Sequence, residues 1–211
     1  MDKEAKNLMI IIGVVVGLFV ILFAGSYFMK STKRTNTISG LHAQNMEMEE
    51  TEFNYVYNGY SFVNVNGLWY TQVQGGNNLY DIPLHYGPRD LEEIPVIGEL
   101  DEEFYGKDLY ITFNPVDPNL QYVALASAEL SINLAKGFGL VPTAACDRNQ
   151  TETCETRPII TCANNEPTVY IKQSAKTQVI LKGKCVIIQG TDLGLVQATD
   201  KFLLKMYGVM S

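Results

Sequence analysis

Apolar positions change their spacing along this chain, and each spacing predicts a different element. From Leu8 to Met29 no residue is charged and most are apolar, so the stretch reads as one helix that is apolar on every face. At a rise of about 1.5 Å per residue such a helix reaches about 33 Å, enough to cross a hydrocarbon core of about 30 Å. The expectation is a transmembrane helix over 8–29, with a short cytoplasmic tail at 1–7 and membrane lipid as its partner. Residues 30–52, including the run STKRTNTISGLHAQNMEMEET, are polar and rich in turn formers. They read as a linker, because so little apolar surface cannot offset the entropy of ordering. His42 falls in this stretch and is expected to be solvated.

From Phe53 the period becomes two. Phe53, Tyr55 and Tyr57 alternate, Asn58-Gly59 interrupts, Tyr60 and Phe62 resume, and Asn66-Gly67 interrupts again. Asn-Gly accepts the positive φ angles of a tight hairpin turn, so the pair predicts a three-strand meander. Gly75-Gly76-Asn77-Asn78 then leads into a fourth strand near Leu79 to Leu84. The aromatic side chains gathered between Phe53 and Tyr86 read as cross-strand pairs and core.

Leu109 to Phe113 reads as a strand, followed by a helix with Asp117 as cap and Pro118 at its first position, running to Lys136 before Gly137 and Gly139. Val123, Ala126, Leu130 and Leu134 share one face of it, while Gln121, Leu125, Ala128 and Ile132 share the other. Glu129 is the only charge between Leu120 and Ala135, so this helix is either buried in its domain or covered by a partner. Further on, Pro158–Cys162, Thr168–Lys172, Thr177–Lys182 and Cys185–Gln189 read as strands. The chain from Thr191 reads as a helix that packs Leu195, Ala198, Phe202 and Met206 on the sheet and stops at Gly208. The fold class expected is therefore α+β: an N-terminal transmembrane helix and one small domain, 53–211, with an antiparallel or mixed sheet and two main helices.

Charge divides the chain. Residues 1–34 hold five Lys/Arg against two Asp/Glu, and the rest holds 11 against 21, within a total of −7. A domain this acidic is not expected to bind nucleic acid, which needs clustered Lys and Arg. The acidic stretch Asp81 to Asp108 lacks the loop order of an EF-hand and reads as solvated charge. Flanking Lys3, Lys6, Lys30, Lys33 and Arg34 nearly cancel as an orientation signal, so the direction rests on the far domain. Cys146, Cys154, Cys162 and Cys185 include no C-x-x-C pair, so disulfides are favoured over zinc, with Cys146–Cys154 and Cys162–Cys185 preferred among three pairings. Asn149-Gln150-Thr151 fits a glycosylation acceptor. Both features place domain 53–211 outside the cytoplasm. Gly13 and Gly17 make a G-x-x-x-G that lets two helices approach closely, although glycine is common in membrane helices and yields this spacing freely.

The block Thr161-Cys162, Pro167-Thr168-Val169-Tyr170-Ile171, Lys184-Cys185-Val186-Ile187-Ile188-Gln189-Gly190 and Asp200-Lys201-Phe202-Leu203, behind one N-terminal apolar segment, resembles uncharacterised archaeal single-pass membrane-anchored proteins. The resemblance covers the last third of the chain. It implies an outside domain and a Cys162–Cys185 bond, and it brings no activity or ligand with it.

Motifs for nucleophilic, phosphate-binding, zinc-protease and dinucleotide chemistry are absent from the sequence, and no cofactor is expected. The function expected is a structural or protein-interaction module of the cell envelope, binding another envelope protein or a second copy of itself. Two alternatives stand beside it. One is an envelope enzyme with a site near Glu129, His85 and Asp81, in which burial would raise the Glu129 pKa. The other is a pilin-like or secretion-system subunit, although the leader Asp2 to Lys6 lacks a fitting cleavage point.

Overall fold

The computed structural model describes residues 16–21, 37–106 and 108–211. The chain divides into two compact units, Met1–Gly40 and Leu41–Ser211. In the first, α1 covers residues 16–21. The rest of the expected span over 8–29, Gly13 included, lies outside the described residues. Among the described residues no helix is long and apolar enough to cross a membrane. This corrects the expected architecture, in which one helix of about 20 apolar residues crosses the membrane. A methyl group added at Gly17 would meet nothing within 4 Å, so no close helix contact forms on it among the described residues.

The second correction concerns the sheets, of which there are two. The first is the antiparallel meander β1 (Asn54–Tyr57), β2 (Tyr60–Val65), β3 (Leu68–Gly75) and β4 (Asn78–Leu84). Its turns fall at the expected Asn-Gly pairs, where Asn58, Gly59, Asn66 and Gly67 all have positive φ, as tight hairpins between twisted strands require. A short helix, α2 (Ile38–Asn45), occupies part of the stretch that reads as a linker. Its His42 is buried rather than solvated: Nδ1 lies 2.8 Å from Ser61 Oγ, and Asn45 Nδ2 donates to Tyr55 O at 2.9 Å. These bonds offset the cost of burying two polar side chains.

The second sheet has six strands in the order β5-β9-β10-β8-β6-β7: β5 (Val96–Leu100), β6 (Tyr110–Phe113), β7 (Thr143–Cys146), β8 (Thr168–Gln173), β9 (Gln178–Gly183) and β10 (Cys185–Gly190). Only the β9–β10 hairpin is antiparallel, and the other four pairings are parallel. The expected strand at Pro158–Cys162 reduces to a single bridge between Ile159 and Cys146.

The helices are α3 (Leu120–Asn133), which continues as a π-turn over Leu134–Phe138, the short α4 (Glu152–Glu155) and α5 (Leu193–Met206). With α1 and α2 they make five among the described residues, α3 and α5 being the two long ones of the domain, at 14 residues each. The first residue before α3 is Asn119 in the left-handed region, not Asp117. The Asp117 carboxylate instead accepts a hydrogen bond from Asn114, closing a separate turn ahead of the helix.

Helix α5 lies against β8, β9 and β10, and α3 packs on α5 while also touching β4 and β8. Thus α3 is the seam between the sheets. Leu130 and Leu134 of α3, Leu195, Ala198 and Phe202 of α5, Val169 and Ile188 of the mixed sheet, and Phe62 and Ile82 of the meander belong to one buried apolar cluster. Two disulfides of the preferred pairing brace the periphery. Cys146–Cys154 ties the end of β7 to α4 and Cys162–Cys185 ties a loop to the start of β10, with Cα atoms 5.9 and 5.4 Å apart. Paired cysteines are the chemistry of an oxidising environment and point to a domain outside the cytoplasm.

Candidate functional site

Strand β4 ends where its pairing with β3 ends, at Leu84 opposite Trp69. The next two amides turn to side chains instead. The His85 N–H donates to Glu129 Oε1 at 3.0 Å and the Tyr86 N–H donates to Asp200 Oδ2 at 2.8 Å. His85 Nδ1 donates to the same Glu129 oxygen at 2.9 Å. The turn that presents these amides is anchored beyond them. Gly87 passes so close to Tyr55 and Trp69 that an added methyl would strike both, and the Arg89 guanidinium sits 3.9 Å above the Tyr55 ring.

The carboxyls reach this point because α3 and α5 face each other. Glu129 stands beside Leu130 at the core edge of α3, and Asp200 lies within the all-buried run from Ala198 to Leu204 of α5. Ligand-capable atoms of His85, Glu129 and Asp200 all lie within 4.8 Å of one another. Glu129 is 6% exposed and Asp200 fully buried. Each carboxyl has one oxygen held by a backbone N–H, and the other, Glu129 Oε2 and Asp200 Oδ1, has no hydrogen-bond partner. Lys201, next in sequence to Asp200, turns instead toward Met210.

Two acidic groups this close and this dry do not both carry charge. Burial first, and the neighbouring Glu129 second, push the Asp200 carboxyl well above the ordinary carboxylate range, while the Tyr86 N–H pulls in the other direction. The hydrogen bond to Glu129 raises the His85 pKa against the opposing effect of partial burial. The raised Asp200 carboxyl therefore favours its protonated form, and the His85 imidazole is biased toward its charged form.

Above His85 and Glu129 opens a cleft of about 160 Å³, walled by Leu68, Pro83, Leu125, Ala128 and Ile132. Of the three residues considered for an enzyme, His85 and Glu129 meet here and Asp81 does not. Asp81 accepts a hydrogen bond from Gln72 and lies 4.0 Å from the buried His42. Asp200 takes the third place. Its signal in the sequence is spacing: it stands four residues after Val196 and four before Leu204, both fully buried, so it belongs to a second apolar stripe of α5. The other candidates sit elsewhere. Asn149 is exposed in the loop closed by Cys146–Cys154, and a larger cavity lined by Leu100, Tyr105, Phe202 and Met206 contains none of the cluster.

Fold and site together define a disulfide-braced, two-sheet α+β domain with a buried pair of acids and an imidazole at the seam. No protein-family model, curated protein or solved structure matches the chain.

Proposed function

We propose that the chain is an extracytoplasmic protein-interaction module of the cell envelope, which presents the outer face of α3 to a second copy of itself or to another envelope protein. The observation that supports this reading is the outer stripe of α3. Leu120, Ala124, Ala128, Ile132 and Ala135 are exposed along one helix, with Lys136 the first charge after them. Apolar residues gathered on one exposed helix face mark a surface that another molecule covers. The cleft at its centre suits a single anchor, since a cavity of about 150 Å³ takes a benzene-sized group. Chemical crosslinking of the full chain in its own cells tests the reading. Ile132→Arg is expected to remove a crosslinked species that the parent chain forms, and a parent chain that stays monomeric and unlinked would refute it.

A second reading, an enzyme working at the floor of the cleft, is favoured by the meeting of His85 and Glu129. In that case Glu129→Gln abolishes turnover and leaves the crosslinked species intact.

A further inference from the structure

We propose that His85, Glu129 and Asp200 bind one four-coordinate divalent metal ion, zinc by the character of its ligands, with the fourth position open to the cleft beside α3. The inference is independent of the partner surface and stands if no partner exists.

The geometry is close to what such an ion requires. Ligands at about 2.0–2.2 Å from a tetrahedral ion lie roughly 3.3–3.5 Å from one another. The three candidate atoms already lie within 4.8 Å of one another, so side-chain rotations on the order of 1 Å complete the shell. Each ligand comes from a different element, the end of β4, the middle of α3 and the middle of α5, and all three elements meet in the core.

The hydrogen bonds are arranged as a supporting shell. Consecutive amides at positions 85 and 86 each hold one oxygen of one carboxyl, and the opposite oxygens are buried and unpartnered. Fixing a carboxylate by one oxygen while the other faces a cation is how outer contacts orient metal ligands. The orphan oxygens are the independent observation. With no cation between them these two buried oxygens have no partner, at a cost of about 1–3 kcal/mol each. A dication between them satisfies both and balances two carboxylates beside a neutral imidazole.

The ligand set also selects the ion. Calcium takes six to eight oxygens and magnesium keeps an octahedral shell, while the cleft walls here are Leu68, Pro83, Leu125, Ala128 and Ile132, which add no side-chain oxygen. Asn133 is engaged, since its Nδ2 donates to Glu129 O and Pro83 O and its Oδ1 accepts from Tyr207. One nitrogen and two oxygens with an open fourth position match zinc with a bound water. Access is through His85, whose side chain is 34% exposed. Binding replaces the proton on His85 Nδ1 and the proton on the Asp200 carboxyl, and both leave to solvent.

Calorimetric titration of the chelator-stripped full chain with zinc chloride tests the proposal, with cobalt(II) as a spectroscopic probe of the same site. The expected result is one zinc per chain and an intense visible cobalt spectrum of the four-coordinate kind. His85→Gln, Glu129→Gln and Asp200→Asn are each expected to weaken zinc binding by at least about tenfold. His85→Gln, at the partly exposed position, keeps the test sound if a buried variant fails to fold. Absence of saturable binding, a weak six-coordinate cobalt spectrum, or unchanged affinity in all three variants would overturn the proposal.

Discussion

Removing the ionisable proton at Asp200 should stabilise the metal-free domain at neutral pH. The wild-type carboxyl is fully buried, accepts the Tyr86 N–H on one oxygen and has no partner on the other. Its folded pKa is raised, first by burial and then by Glu129, above an unfolded value of about 3.9. Over the interval between the two values the folded chain holds a proton that the unfolded chain has released. Stability therefore falls as pH rises through that interval, by about 1.4 kcal/mol per pH unit for one proton, and levels off above the folded value. Asp200→Asn keeps the shape and an oxygen for the Tyr86 N–H, but it cannot ionise. Urea denaturation followed through the single Trp69, in chelator, gives both stabilities across pH. The variant's advantage should open above about pH 4, with that slope, and then hold constant. A variant less stable than the parent at pH 7, or a difference independent of pH, would refute the argument that Asp200 is a proton-holding buried acid.

The two histidines should titrate on opposite sides of the ordinary imidazole value. His85 is raised by Glu129, so it contributes stability below about pH 6.5 that is lost as pH rises through its folded value. His42 is lowered by burial against a smaller opposing pull from Asp81, so its contribution is full above about pH 6.5 and is lost as pH falls. NMR of the two imidazole rings in the metal-free chain resolves them, and a shared midpoint contradicts the assignment. Gly87→Ala should cost about 1–3 kcal/mol through overpacking against Tyr55 and Trp69, read as a lowered Tm. Replacing Cys162 and Cys185 together by Ser should cost about 3.4 kcal/mol and replacing Cys146 and Cys154 about 2.5 kcal/mol, from loop closures spanning 23 and 8 residues. Equal losses from the two pairs would contradict the loop-entropy account.

Local chemistry made the meander legible: each Asn-Gly carries its own turn geometry, and four strands follow from three turns. Helix α5 was legible for the same kind of reason, with a 3.6-residue apolar period and Gly208 at positive φ after its end. The mixed sheet was harder, because β5 and β7 are its two edges. An edge strand buries little: Val96–Leu100 has no buried residue and only Ala145 and Cys146 of β7 are buried, so neither shows the alternation that marks a strand. Hydropathy over 8–29 spoke for a spanning helix, and no helix among the described residues is long and apolar enough to cross a membrane.

The candidate site was half legible. Glu129 stood out as the lone charge on an apolar helix, and His85 as an imidazole at a strand end. Asp81 lies at the middle of β4, four residues before His85, and at about 3.3 Å per residue that holds it away from the cluster. Asp200 was hidden because one apolar stripe of α5 was read and the second, Val196 with Leu203 and Leu204, was not. His42 was hidden because its partner Ser61 lies 19 residues away, and no local pattern announces that bond.

The central claim is that residues from β4, α3 and α5 build one polar site at the seam of the two sheets. Diffraction from crystals of the full chain grown with zinc, recorded on both sides of the zinc absorption edge, tests it most directly. The account predicts a single anomalous peak bonded to His85, Glu129 and Asp200, with one further position facing the cleft. No peak at that position, or a peak held by other residues with these three side chains apart, would contradict it.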